Sequence, residues 1–107
     1  MICDDITVFG AQLTPDRALA GLDLGDKTIG VAVSDTRRRV ASPLKTIRRA
    51  KFGTDAAALI AIFQARTIGG VILGLPRNMD GSEGPRCQAT RAFARNLARL
   101  VDLPIGF

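Results

Sequence analysis

Two short apolar runs joined by a tight, glycine-punctuated turn constrain this chain more than anything else in it. Residues 18–24 and 29–35 are rich in Val, Ile, Leu and Ala, and Gly25-Asp26-Lys27-Thr28 separates them. Two such runs around a four-residue turn form a β-hairpin signal. One residue breaks the first run: Asp23, between Leu22 and Leu24. Moving a carboxylate from water into an apolar interior costs on the order of several kcal/mol. A strand that carries one there is expected to meet a metal, a phosphate or a cation.

The rest of the chain extends the hairpin into an α/β pattern. Residues 1–17 have mixed character, end at Thr14-Pro15-Asp16-Arg17, and read as an N-terminal extension outside the main pattern. Val40 to Ile47 reads as a third antiparallel strand, with Pro43 favouring an edge position because proline cannot donate to a ladder. Thr54 is a suitable N-cap for a helix through Arg66, with Ala56, Leu59, Ile60 and Phe63 as its apolar face and Gly69-Gly70 as its end. Val71 to Leu75 is a continuous apolar run, as expected of a parallel strand covered on both faces.

A loop then leads to a helix over about 83–101, whose apolar face is Phe93, Leu97, Leu100 and Val101 and whose Arg91, Arg95 and Arg99 form a solvated stripe. A last strand begins at Leu103. The order β-β-β-α-β-α-β predicts a mixed sheet, an antiparallel unit continuing into parallel strands.

Composition narrows the chemistry. The 107 residues include no His and only two distant Cys, Cys3 and Cys87, which excludes the usual zinc patterns and every His-based triad. Free thiols fit a reducing compartment, and no run approaches the ~20 apolar residues a membrane span needs. A cytoplasmic protein with no membrane partner is the expectation. The net charge of +5 favours a polyanionic partner, although five Phe with no Trp or Tyr offer little for stacking bases.

Four features could carry function. Asp23 is either a ligand for Mg²⁺ or Mn²⁺, which prefer oxygen donors, or a cap on the amides of the following turn. That turn, with Lys27 and Thr28, also has the look of a nucleotide-phosphate turn, but one domain is too little to close around ATP. Arg37, Arg38, Arg39, Lys45, Arg48, Arg49 and Lys51 form a run with no acidic residue from 37 to 51, suited to a phosphate backbone or to a solvated strand edge. Pro76-Arg77-Asn78-Met79-Asp80-Gly81-Ser82 follows a buried strand and precedes a helix, where ligand loops of α/β folds gather. In it Arg77 and Asn78 are donors, while Asp80, Gly81 and Ser82 line the site.

Together these segments resemble the YqgF (RuvX) family of the ribonuclease H-like superfamily. Its members are described as Holliday junction resolvases and as nucleases maturing the small-subunit ribosomal RNA precursor. The resemblance rests on Gly21-Leu22-Asp23-Leu24-Gly25 with Lys27, on Ile29 to Asp35, on Val71 to Pro76, and on Asn78-Met79-Asp80-Gly81-Ser82. It covers residues 18–107 and implies a ribonuclease H-like domain with Asp23 as the first catalytic, metal-binding carboxylate.

Family members continue into an Asp-Glu-Arg motif and a later acidic helix. The resemblance therefore implies a fold incomplete at the C-terminus, with one sheet face uncovered and few metal ligands. The expected activity is metal-dependent cleavage of structured nucleic acid, processing the 5′ end of pre-16S rRNA. The alternatives are resolution of branched DNA, for which a homodimer would match a two-fold junction, and nucleic-acid binding without catalysis.

Overall fold

A computed structural model describes residues 1–107 as β1 (Ile2–Cys3), α1 (Ile6–Ala11), β2 (Ala18–Leu24), β3 (Thr28–Ser34), β4 (Ala41–Arg48), α2 (Phe52–Ala65), β5 (Ile68–Leu73), α3 (Pro85–Ala98) and β6 (Ile105–Gly106). The six strands form one sheet in the order β1-β6-β5-β2-β3-β4. The hairpin lies near its centre: β2 and β3 are antiparallel, with Gly21 opposite Ala32 and Asp23 opposite Gly30. β4 continues the meander and is an edge strand, and its register slips between Val31 and Ala32, where Pro43 enters the ladder. A proline has no N–H to donate, so a slip at the edge costs least. β5 returns through α2 to run parallel to β2, and β6 returns through α3 to run parallel to β5.

Period-two alternation divides the sheet into unlike faces. Ala18, Ala20, Leu22, Ile29, Val31, Val71, Leu73 and Ile105 point to one side. There they form a single core with Ala56, Leu59 and Phe63 of α2 and Phe93, Ala94 and Leu97 of α3. The other side carries Leu19, Gly21, Asp23, Gly30, Ala32, Gly70 and Ile72, as the strand registers require.

The N-terminal segment, read from the sequence as an extension outside the pattern, is part of this architecture. Ile2 and Cys3 pair in parallel with Ile105 and Gly106. Asp5 caps α1 by accepting from the Thr7 N–H at 2.7 Å, and Phe9 is fully buried. Its ring and Leu13 lie over Gly70 and Gly106 on the second face, so close that an added Cβ at Gly70 would meet Leu13 Cδ2 at 2.6 Å. A two-residue strand has no period to read, and its partner lies a hundred residues away.

Other boundaries differ for local reasons. α2 starts at Phe52 rather than after Thr54, with Lys51 at the N-cap position but no side-chain cap bond. Buried Asp55, in the first turn, instead reaches back to accept the N–H of Ala50, ahead of the helix, at 3.0 Å. Gly69 and Gly70 do not end that helix; they lie inside β5, where an added Cβ would strike Arg17 and Leu13. α3 stops at Ala98, which leaves Leu100 exposed instead of packed.

Candidate active site

Asp23 stands one residue before the end of β2, on the second face. Its surroundings are nearly bare backbone. Gly30 lies across the hairpin, and its missing Cβ would fall 3.7 Å from the Asp23 Cβ. On the other side, the Gly74 N–H donates to the Leu22 carbonyl at 3.0 Å. Glycine at both neighbours leaves the carboxylate exposed over a depression of about 750 Å³, lined by Gly21, Gly30, Ala32, Thr46 and Gly74 as well as Asp23. The side chain is thus not the buried charge that its apolar neighbours in sequence suggest. It does not cap the turn either: the Gly25 N–H donates to the Thr28 carbonyl at 2.8 Å.

The β2–β3 turn beside it is held from outside. The Arg49 N–H donates to the Lys27 carbonyl at 2.8 Å, and its guanidinium donates to the Gly25 carbonyl at 2.7 Å. Across a small cleft from this turn lies Arg86, in the first turn of α3. In the sequence Arg49 belongs to a general basic run and nothing local singles out Arg86, because only the fold brings α3 to this turn.

Residues 76–84 follow β5, whose parallel pairing with β2 puts them at the same end of the sheet as Asp23. Their polar side chains largely serve one another. The Asn78 amide donates to Ser82 Oγ at 3.2 Å, and Asp80 accepts from the Ser82 N–H at 2.9 Å and from its hydroxyl at 2.6 Å. These bonds hold the Asp80 carboxyl below its ordinary range. Gly81 takes φ +84°, a conformation open to glycine at no steric cost. Arg77 reaches Glu83 at 3.7 Å, and Met79 is fully exposed.

Arg91, expected in a solvated stripe, is instead a hub. It donates to both Glu83 oxygens, at 2.7 and 2.8 Å, and to Asp4 at 2.6 Å, and it stacks 4.8 Å from the Phe107 ring centroid. The bidentate pairing lowers the Glu83 pKa and raises that of Arg91. No local spacing signals this, since Asp4 and Phe107 meet Arg91 only through the sheet.

Arg37, Arg38 and Arg39 are not part of this constellation. They lie in the β3–β4 turn, at the opposite end of the sheet. Gly30, opposite Asp23, and Ser34, at the other end of β3, are four residues apart, which is about 13 Å of strand. Asp35 organises that turn by accepting the N–H groups of Arg39 at 2.8 Å and Val40 at 3.2 Å, which lowers its pKa, while Arg38 donates to the Thr14 carbonyl. The basic run therefore splits, with Arg49 near Asp23 and Arg37–Arg39 far from it.

The metal expectation meets a sparse donor set. Mg²⁺ is held octahedrally by oxygens, commonly one or two carboxylates with water and phosphate, and a two-metal site needs more. Residues 1–107 bring one carboxylate to the depression, and nowhere do three His, Cys, Asp or Glu side chains converge. Asp23 suits one position in such a site. The residues present do not make the whole of it. No helix is long and apolar enough to cross a membrane.

Comparison with known proteins agrees with the fold and with the motifs. A solved structure of T. thermophilus RuvC in complex with Holliday junction substrate superposes with a TM-score of 0.56 at 13% identity, covering 85% of this chain and 64% of that one. This likeness shows the ribonuclease H-like fold. A Ruegeria pomeroyi protein named "Putative pre-16S rRNA nuclease" is 69% identical over all 107 residues, which span 70% of its length. A Paracoccus denitrificans protein of the same name is 64% identical, with 68% of its length spanned. The family profile described as "RuvX: Holliday junction resolvase" matches residues 17–107. With its hairpin, its Asp23 and its loop of residues 76–82 in these positions, the chain belongs to the RuvX family.

Proposed function

We propose that this protein is a metal-dependent endonuclease of structured RNA, acting at the 5′ end of pre-16S rRNA, with Asp23 as a metal ligand. The observation that carries this reading is Asp23 itself: exposed, flanked by glycines, and at the end of the sheet where β2 and β5 both finish. Loops at the carboxyl ends of parallel strands are where α/β sheets gather their ligands. A bound divalent cation would supply charge stabilisation to a phosphodiester under attack. The names of the relatives favour ribosomal RNA over branched DNA.

The chain's own contribution is rigidity and access. Asp23 sits on a central strand bonded on both sides, so its Cβ is fixed to the precision of the sheet. The absence of side chains at Gly30 and Gly74 keeps the approach to the Asp23 carboxylate open. The loop of residues 77–83 stands at the same end, braced through Glu83 on Arg91.

The test is cleavage of precursor 16S rRNA and of a four-way DNA junction, side by side, in saturating Mg²⁺, by a chain that carries residues 1–107 together with the Asp-Glu-Arg motif and acidic helix expected of the family. The RNA is expected to be cut faster than the junction. Asp23→Asn is expected to slow RNA cleavage by about a hundredfold, equivalent to ~2.7 kcal/mol. Equal rates for parent and Asp23→Asn would remove Asp23 from the chemistry. Salt-sensitive RNA binding with no cleavage by either protein would leave a binding module in place of an enzyme.

A further inference from the structure

We infer that the cleft between the β2–β3 turn and the first turn of α3 is a contact site for a phosphate of the nucleic-acid backbone, with Arg49 and Arg86 as its cations and Lys27 in the adjoining turn. It rests on the nuclease reading and adds a binding surface that the catalytic carboxylate alone does not define.

Three observations carry it. The cleft is lined by Leu24, Gly25, Asp26, Arg49, Arg86 and Thr90, on segments that meet only in the folded chain. All three ion pairs in the structure involve Arg77 or Arg91, so Lys27, Arg49 and Arg86 carry no carboxylate partner within 4.0 Å. The Asp26 carboxylate borders the cleft and offsets one of the charges of Arg49 and Arg86, leaving an excess of one in the cleft, with Lys27 in the turn beside it. Finally, Arg49 is anchored: one guanidinium nitrogen is committed to the Gly25 carbonyl, and the group lies 5.9 Å from the Phe93 ring centroid. Its other donors remain for a ligand, and an arginine already ordered loses less entropy on binding.

Position gives the cleft its meaning. Gly25 follows Asp23 by two residues, about 7 Å of extended chain. Asp23 is on the open face and the cleft opens toward α3. A strand whose scissile phosphate lies at Asp23 would therefore bring a neighbouring phosphate to the cleft by passing over this end of the sheet. Arg37, Arg38 and Arg39 stand at the far end of the sheet and would miss it.

The experiment measures binding of a labelled RNA hairpin to the 107-residue chain over a salt series without divalent metal, so that cleavage plays no part. Each phosphate contact adds about 0.7 to 0.9 to the slope of log affinity against log salt. Arg86→Gln and Lys27→Gln, whose side chains hold no other part of the protein, are each expected to lower that slope by close to this amount. Each variant's affinity then falls about threefold less than the parent's between 50 and 200 mM salt. Arg49→Gln is paired with Arg49→Lys, which keeps the charge and recovers part of the slope, and thermal unfolding checks that the turn survives.

Arg38→Gln and Arg39→Gln are expected to leave the slope unchanged. Unaltered slopes in Arg86→Gln and Lys27→Gln would overturn the inference, as would equal losses at Arg38 and Arg39 or no RNA binding by the parent. Asp23→Asn fails or succeeds in the cleavage assay independently of these slopes, so the two readings fail separately.

Discussion

The two faces of the sheet are built from the same strands and yet by opposite rules. On the face toward α2 and α3, the inward positions of β2, β3, β5 and β6 carry apolar side chains, and Val71, Leu73 and Ile105 are wholly buried. On the other face, positions one residue away are Gly21, Gly30, Ala32 and Ile72, and only the β5–β6 side is roofed, by Phe9 and Leu13. One face is packed for stability. The other is kept small and open around a carboxylate. A chain can hold an exposed functional group on a rigid strand because the opposite side of that strand secures it.

Adjacent residues on β5 give the largest expected contrast. Leu73→Ala removes a fully buried side chain from the covered face and is expected to cost about 2–5 kcal/mol, transfer and cavity terms together. Ile72→Ala, on the open face and only half-buried, is expected to cost about 1 kcal/mol. Urea denaturation of the two variants measures both. Equal costs would mean that the second face is covered in solution, and dependence of the Ile72 effect on protein concentration would identify a second copy of the chain as the cover.

This asymmetry was half legible in the sequence. The alternation in residues 18–24 and 29–35, the turn between them, and the apolar run from Val71 gave the central strands, the mixed sheet and the position of Asp23. Three things escaped. β1 and α1 were missed because a two-residue strand and a six-residue helix with Gly10 inside it carry no period. Gly69-Gly70 read as a helix stop, yet those glycines serve close packing under Arg17 and Leu13, a tertiary requirement no local rule reports. The site residues divided in the same way. Asp23 and the loop of residues 76–82 stand at one end of the sheet, as motif and placement suggest, whereas the position of Arg86 and the Arg91 hub arise only through contacts that the sheet creates. Arg37 to Arg39 join the site in the sequence by charge alone, and the hairpin carries them to the end of the sheet away from Asp23.

Glycine substitutions on the open face separate its roofed part from its bare part. At Gly70 a Cβ would approach Leu13 Cδ2 to 2.6 Å and Phe9 Cζ to 3.0 Å, so Gly70→Ala forces α1 away and is expected to cost about 1–3 kcal/mol. At Gly21 nothing lies within 4 Å. Gly21→Ala is expected to be neutral or to stabilise by up to ~1 kcal/mol through the reduced entropy of the unfolded chain. Thermal unfolding of the pair decides the matter. A destabilising Gly21→Ala would show that the bare region is occupied, and a harmless Gly70→Ala would show that α1 is loosely held.

The smallest effect concerns how that roof is fastened. Arg91 on α3 bonds both Glu83 and Asp4, and Asp4 lies between β1 and α1, so the Asp4 pair links the N-terminal segment to α3 while Glu83 holds the Arg91 guanidinium that makes it. Glu83 has a folded-state pKa below its ordinary 4.5, chiefly through its hydrogen bonds from Arg91. A depressed carboxylate contributes stability that is fully present above the unfolded value and is lost as pH falls through the folded value. Parent and Glu83→Gln are therefore expected to differ slightly in stability near neutrality and to converge as pH drops below about 4.5. Hydrogen exchange should register the same loss locally: as Glu83 is protonated, amides of α1 lose protection before those of β2 and β5, whose hold depends on the apolar face. If all three elements lost protection together, the roof and the core would be one cooperative unit, and the two faces would differ in composition but not in stability.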